Sequence, residues 1–249
     1  MTPAAVAGQL NGQHLTSEWR MPMYRYFIQP QLDKINHTLI GYELLMKQYV
    51  HDGWRPPRSF ASIPAHTIAE VLVETTAKLA LKIGSVSVNL NRTQLLNPEI
   101  NRSLIQAQNF LRPLRLNVEL TEEKEDAPVT MAQMRPMLEA YVERGMQVCL
   151  DDVGSGENQL DHVRQLVPYA SEIKFALQNF DGGLDDPDMR ARVVFWRDFA
   201  RARGLRFILE GVEDARDDAI VDELGVNLRQ GYFYGKPRLL KLDAGDPEQ

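Results

Sequence analysis

An α/β fold, a TIM-type (β/α)8 barrel modified by one antiparallel strand, is what this sequence predicts, and three observations predict it. Eight apolar, β-branched runs recur along the chain: YRYFIQPQL, HTLIGYELLM, SVSVNL, LRLNVEL, MQVCLDD, SEIKFAL, LRFILEG and LRQGYFYG. A helical segment fills every gap from the second run onward. The 249 residues match the size at which eight such units close around one core.

The first two runs break the pattern. Only a few residues around Lys34, Ile35, Asn36 and His37 separate them. A parallel crossover takes about a dozen residues or more, so this connection is expected to be a hairpin, which sets Gln29 roughly opposite Tyr42 and Glu43. After the second run, Ile68, Val71, Leu72, Thr75 and Leu79 fall on one face of a helix. Before LRFILEG, Met189, Val193, Trp196 and Ala200 do the same, and Gly204 is placed to end that helix. Strands alternating with helices imply a mostly parallel sheet, closed when there are eight. The barrel is expected over residues 21–242, with flexible tails at 1–20 and 243–249.

Hydrophobic residues make up 44% and charged residues 25%, ordinary values for a globular chain. A net charge of −6 argues against a general binder of nucleic-acid polymers or anionic membranes. The single cysteine, Cys149 in MQVCL, cannot form an internal disulfide and reads as a packed thiol. The opening MTPAAVAGQLNG lacks the basic and apolar regions of a signal peptide. No run approaches the roughly 18 apolar residues of a membrane span. A cytoplasmic location is the expectation.

In such a barrel the C-terminal strand ends share one mouth, where active sites sit. Reading the last residues of the seven parallel runs gives Glu43, Asn89, Glu119, Asp151 with Asp152, Lys174, Glu210 and Gln230. A lone carboxylate there usually caps a helix or meets water, but seven polar ends in register are not explained that way. The five carboxylates would repel one another unless cations joined them. Oxygen ligands select hard divalent ions, Mg²⁺ or Mn²⁺, and the adjacent Asp151 and Asp152 suit a pair of them. Two ions about 3.5–4 Å apart support phosphodiester cleavage, with Lys174 placed to orient water or offset phosphate charge. His14, His37, His51, His66 and His162 show no ligand spacing.

At these positions the sequence resembles the EAL family of cyclic di-GMP phosphodiesterases. The motifs stand as ELL (Glu43 to Leu45), VNLN around Asn89, ELTE (Glu119 to Glu122), LDDVGSG (Leu150 to Gly156), IK (Ile173, Lys174), EGVE (Glu210 to Glu213) and QGYFYGKP (Gln230 to Pro237), covering roughly Tyr24 to Pro237. The resemblance implies a barrel with one antiparallel strand and two Mg²⁺ or Mn²⁺ ions that opens cyclic di-GMP to linear pGpG. It implies that Glu43, Asn89, Glu119, Asp151, Asp152 and Glu210 hold the metals. Lys174, Glu210 and Gln230 would serve catalysis, Glu122 would brace the loop after Asp152, and Gln29 and Lys47 would meet the ligand. EAL domains commonly pair, so a homodimer or a protein partner is also among the expectations.

Departures from the family pattern bear on activity. The arginine of ExLxR is Lys47, which keeps the charge and loses the bidentate fork. The aspartate of KID is Ala176, the loop phenylalanine is Val153, the loop threonine is Ser155, the next tyrosine is Glu157 and the serine of the asparagine strand is Asn91. Together they imply a weakened or specialised enzyme. The alternative is a catalytically silent EAL module acting as a cyclic di-GMP receptor or a protein-interaction regulator. With the resemblance set aside, the rival is a Mg²⁺-dependent enolate-forming enzyme, against which stands the lack of a second base across the mouth.

Overall fold

A computed structural model describes residues 23–58, 60, 63–79, 83–123 and 128–248. The expected tail at 1–20, with His14, lies outside these. The wall of the barrel is made by β1 (Met23–Asp33), β2 (Thr38–Val50), β4 (Ser85–Leu90), β5 (Arg115–Leu120), β6 (Gln147–Leu150), β7 (Glu172–Ala176), β8 (Arg206–Glu210) and β9 (Leu228–Arg229). Each pairs with the next, and β9 closes the ring on β1. β1 is antiparallel to both of its neighbours, whereas the pairings from β2 round to β9 are all parallel.

The hairpin turn falls at residues 34–37, and Gln29 is the direct partner of Glu43, as the turn position predicts. Side chains alternate along a strand, so one face of each lines the barrel and the other packs under helices. In β5, Leu116, Val118 and Leu120 join the apolar layer, while Asn117 and Glu119 make polar contacts inside the ring. Helices α1 (Ala65–Ala77), α2 (Arg92–Leu96), α3 (Pro98–Leu111), α4 (Met131–Glu143), α5 (Leu160–Leu166), α6 (Pro187–Arg201) and α7 (Ala215–Glu223) cover the outside. The predicted stripes are buried: Ile68, Val71, Leu72 and Thr75 in α1, and Met189, Val193, Trp196 and Ala200 in α6. Gly204 takes a φ of +69° just after α6, a conformation that favours glycine. No helix among the described residues is long and apolar enough to cross a membrane.

Four details differ from the sequence reading. β2 does not end near Glu43 but runs on to Val50, because β1 continues beside it and β3 (Gly53–Arg55) folds back on its other edge. His51 and Asp52 make that two-residue turn with φ of +49° and +59°, the positive values that twist-matched hairpins require. LRQGYFYG is a strand only at Leu228–Arg229; beyond Gln230 the chain turns, with the Tyr234 and Gly235 amides donating to the Gly231 carbonyl. β10 (Arg238–Leu239) then returns to β1.

The fourth concerns the expected C-terminal tail, whose described residues, 243–248, pack on the barrel through Asp246. Asp246 is buried against Arg25 in a two-point ion pair of 2.8 and 2.6 Å, and the amides of Leu242 and Asp243 donate to the same carboxylate. Nothing in the polar composition of 243–249 signals this, because the partner arginine is 221 residues away. Removing one member of a buried pair strands the other, so Asp246→Ala should cost about 3 kcal/mol. Urea unfolding checks this; an unchanged midpoint would mean that the segment contributes nothing to the fold.

Candidate active site

The predicted strand-end residues meet at one place. Lys174, on the inward face of β7, is fully buried, and its ammonium lies 3.0 Å from Glu119, 3.4 Å from Glu43 and 3.4 Å from Asp151, with Glu210 also in direct contact. Those partners come from β5, β2, the residue after β6 and the last residue of β8. Asn89 donates to Glu43 at 2.8 Å, and Gln230 donates to the other oxygen of Glu43 at 2.5 Å. Gln230 also reaches Gln29 at 3.3 Å, and Gln29 donates to the Gly235 carbonyl at 3.3 Å. All eight strand-end residues and Gln29 therefore belong to one cluster, with Asp152 at its edge.

Asp152 takes a φ of +50° in the turn after β6, a left-handed conformation that non-glycine residues rarely adopt. One oxygen each of Asp151, Asp152 and Glu210 lie within 4.8 Å of one another. The turn is closed from below. The Glu157 amide donates to the Glu122 carbonyl at 2.7 Å, and a Cβ at Gly156 would stand 2.0 Å from that carbonyl. Only glycine fits there, where φ is +43°. The Glu122 carboxyl also hydrogen-bonds Asp152.

Electrostatics follow from burial. Burial pushes the Glu119 carboxyl up to about 8 and that of Glu210 up to about 7, with Lys174 opposing in both. Asp151 and Asp152 are also raised by burial. Burial pushes Glu43 the same way, but Lys174 and the amides of Asn89 and Gln230 outweigh it and hold that group below its ordinary value. Lys174 is held well above its ordinary value because the surrounding carboxylates overcome its own burial.

The donor set fits hard divalent cations. Asn89 Oδ1, Asp152 Oδ1 and Gln230 Oε1 are buried and accept no hydrogen bond, which buried oxygens rarely tolerate. Every ligand atom is an oxygen. A second group, Glu119 with Cys149 and Glu172, is the packed floor of the barrel. Glu172 is engaged by Asn117 and Arg206, each at 2.9 Å, and burial keeps the Cys149 thiol protonated.

Several departures from the family pattern have local explanations. Asn91 caps α2 by accepting from the Gln94 amide at 2.8 Å, a role asparagine fills as well as serine. Ser155 keeps the hydroxyl, which donates to the Asp152 carbonyl at 2.8 Å. Val153 is fully buried and its amide donates to the Lys174 carbonyl at 2.9 Å. Ala176 is buried beside Glu210 in the next strand, and Lys174 is held by four carboxylates without a partner at 176. Lys47 stands further out on β2, its ammonium 4.0 Å from the centre of the Phe27 ring. The four described histidines are exposed, away from the cluster.

Sequence reasoning missed three contributors. Gln31 reaches Glu119 at 3.5 Å, and its place two residues after Gln29 on the same strand face was a usable signal. Arg92 and Asn158 bond around the Asp151–Asp152 turn, and neither carries a signal in sequence.

An EAL domain family model matches residues 23–237. The chain belongs to the EAL family. It is 25% identical over 222 residues to the probable cyclic di-GMP phosphodiesterase PdeB of Escherichia coli, across 84% of this chain and 41% of that protein. It is 27% identical over 226 residues to the bifunctional diguanylate cyclase/cyclic di-GMP phosphodiesterase MucR of Pseudomonas aeruginosa, across 84% and 32%. The chain thus spans about two fifths and one third of these relatives. The solved MucR phosphodiesterase in complex with cyclic di-GMP superposes with a TM-score of 0.70 at 25% identity, covering 86% of this chain and 96% of that one. A standalone EAL protein of Vibrio cholerae, at 18% identity, shares the fold with a TM-score of 0.74 over 87% and 93%.

The raised carboxyls of this EAL domain make its metal-free stability fall with pH. Folded, Glu119 and Glu210 keep protons that the unfolded chain has already released near its ordinary value of 4.5. Their stabilising contribution is present below that value and is lost as pH rises through about 7 and about 8. Thermal unfolding in EDTA should show a midpoint that drops steadily from pH 6 to 8.5 and recovers when Mg²⁺ is added. A flat profile would contradict the proton-holding cluster.

Proposed function

We propose that this EAL domain binds cyclic di-GMP over the carboxylate cluster with two Mg²⁺ or Mn²⁺ ions and hydrolyses it to linear pGpG. The observation that carries this reading is the charge balance of the cluster. Five carboxylates face one ammonium, leaving four negative charges when all are ionised, and two divalent ions neutralise them.

Glu43, Asn89, Glu119, Asp151, Asp152 and Glu210 would hold the ions. When bound, such a pair stabilises the attacking and leaving oxygens of phosphodiester cleavage and lowers the pKa of a water. The water oxygen joins phosphorus, and its proton goes to the departing 3′ oxygen. Lys174, fixed among the carboxylates, offsets charge on the phosphate. Gln230 and Gln29, tied to each other and to Glu43, orient the phosphate and the nucleotide. Glu122 supports the turn that aims Asp152. Two pockets flank Leu45, as a ligand with two base-bearing halves demands. One of about 290 Å³ includes Gln29, Glu210 and Tyr232, and the other, of about 240 Å³, includes Lys47, Asn89 and Phe60.

Activity is reduced in this reading, because Lys47 offers a point charge in place of a planar fork. The setting proposed is the cytoplasm.

Incubation with cyclic di-GMP and Mn²⁺, with products separated by chromatography, tests the proposal. Wild type should yield pGpG, and Asp151→Asn should lose at least about a hundredfold in rate, the scale for removing an electrostatic element of the site. Binding without cleavage would make the chain a receptor. Retained Mn²⁺-dependent hydrolysis in Asp151→Asn would overturn the two-metal assignment.

A further inference from the structure

We propose that Arg92 and Asn158 are positioning residues, a buried brace that sets the spacing of the carboxylates on β5 and after β6. The proposal rests on the metal-binding reading above. Arg92, the first residue of α2, is nearly fully buried and points its guanidinium across to the neighbouring strand ends. Nη1 donates to the Thr121 carbonyl at 3.0 Å. Nη2 donates to the Glu157 carbonyl at 3.2 Å and to Asn158 Oδ1 at 2.8 Å.

Asn158 is fully buried and bonded through every polar group it has. Its Nδ2 donates to the Leu120 carbonyl at 2.9 Å and to the Asp151 carbonyl. Its amide donates to the Ser155 carbonyl at 2.9 Å, and its carbonyl accepts from the Gly154 amide at 2.8 Å. The side chain therefore grips the residue after Glu119 and the residue before Asp152, while the backbone of the same residue closes the turn between them. Arg92 fixes that side chain in turn. These bonds run to backbone carbonyls beside the carboxylates, so the pair acts through the backbone that carries Glu119, Asp151 and Asp152.

Two physical effects of removing Arg92 have opposite signs, which makes the brace testable. Deleting a positive charge near a cation site favours cation binding by Coulomb's law. Loosening the ligands disfavours it, and loss of a partner that orients metal ligands typically costs about 10- to 100-fold in affinity. The test is Mn²⁺ binding by calorimetry in wild type, Arg92→Met, Arg92→Lys and Asn158→Ala, with the unfolding midpoint of each measured in EDTA.

The brace predicts about tenfold or greater weakening of Mn²⁺ binding in Arg92→Met and Asn158→Ala. It predicts the same direction in Arg92→Lys, where the charge stays but the fork that reaches three acceptors is lost. If Arg92→Met does not fold, the other two carry the comparison. A lowered midpoint with unchanged Mn²⁺ affinity in the folded variants would show a merely structural pair and overturn the proposal. Tighter Mn²⁺ binding in Arg92→Met would overturn it as well. A wild type that binds no Mn²⁺ would remove the metal-binding reading itself, and the brace with it.

Discussion

Lys174 carries a full charge to a point with no solvent contact, and the interior of this barrel is arranged around that fact. Isolating an ammonium from water costs several kcal/mol unless anions surround it. Here Glu43, Glu119, Asp151 and Glu210 do so from four other positions in the ring. The carboxylates would in turn repel one another without the lysine. Neither set is tolerable alone, and a closed barrel is the arrangement that brings strands distant in sequence to one axis. The same burial raises the Glu119 and Glu210 carboxyls above their ordinary values.

The antiparallel β1 serves this centre in a way a parallel strand would not. Because it descends beside β2, Gln29 lies directly opposite Glu43 and reaches the segment after β9. Gln31, two residues further in, meets Glu119. The strand also lets β2 rise past the barrel and carry Lys47 above the mouth, where Phe27 supports its ammonium. Arg25, on the same strand, anchors the C-terminal segment through Asp246. One reversed strand thus joins the floor of the cluster, its rim and the closing end of the chain.

Much of this was legible in the sequence, for identifiable reasons. A period of two in the strands and stripes at helical spacing fixed the alternation of elements. The short gap after Asp33 forced the hairpin. Residues at strand ends could be listed because barrel geometry sends them to one mouth. What stayed hidden depends on partners far apart in sequence. Nothing local marks Arg92 or Asn158 as a brace, since each is defined by backbone carbonyls on other strands. β3 and β10 are too short to show a period and exist only as partners of an existing edge. Asp246 looks like any tail aspartate until Arg25 is beside it. The departures read as defects proved locally sound at Asn91 and Ser155, because a cap or turn needs a chemical group rather than a particular residue.

In the proposed function, the negative charge gathered around Lys174 is matched by two divalent cations. Counting them tests it most directly. Titration of the metal-free chain with Mn²⁺ at neutral pH, followed by calorimetry and electron paramagnetic resonance, should give two ions per chain. Their spectra should show the magnetic coupling of a pair about 3.5–4 Å apart. Saturation at a single uncoupled ion, or no binding at all, would contradict the account.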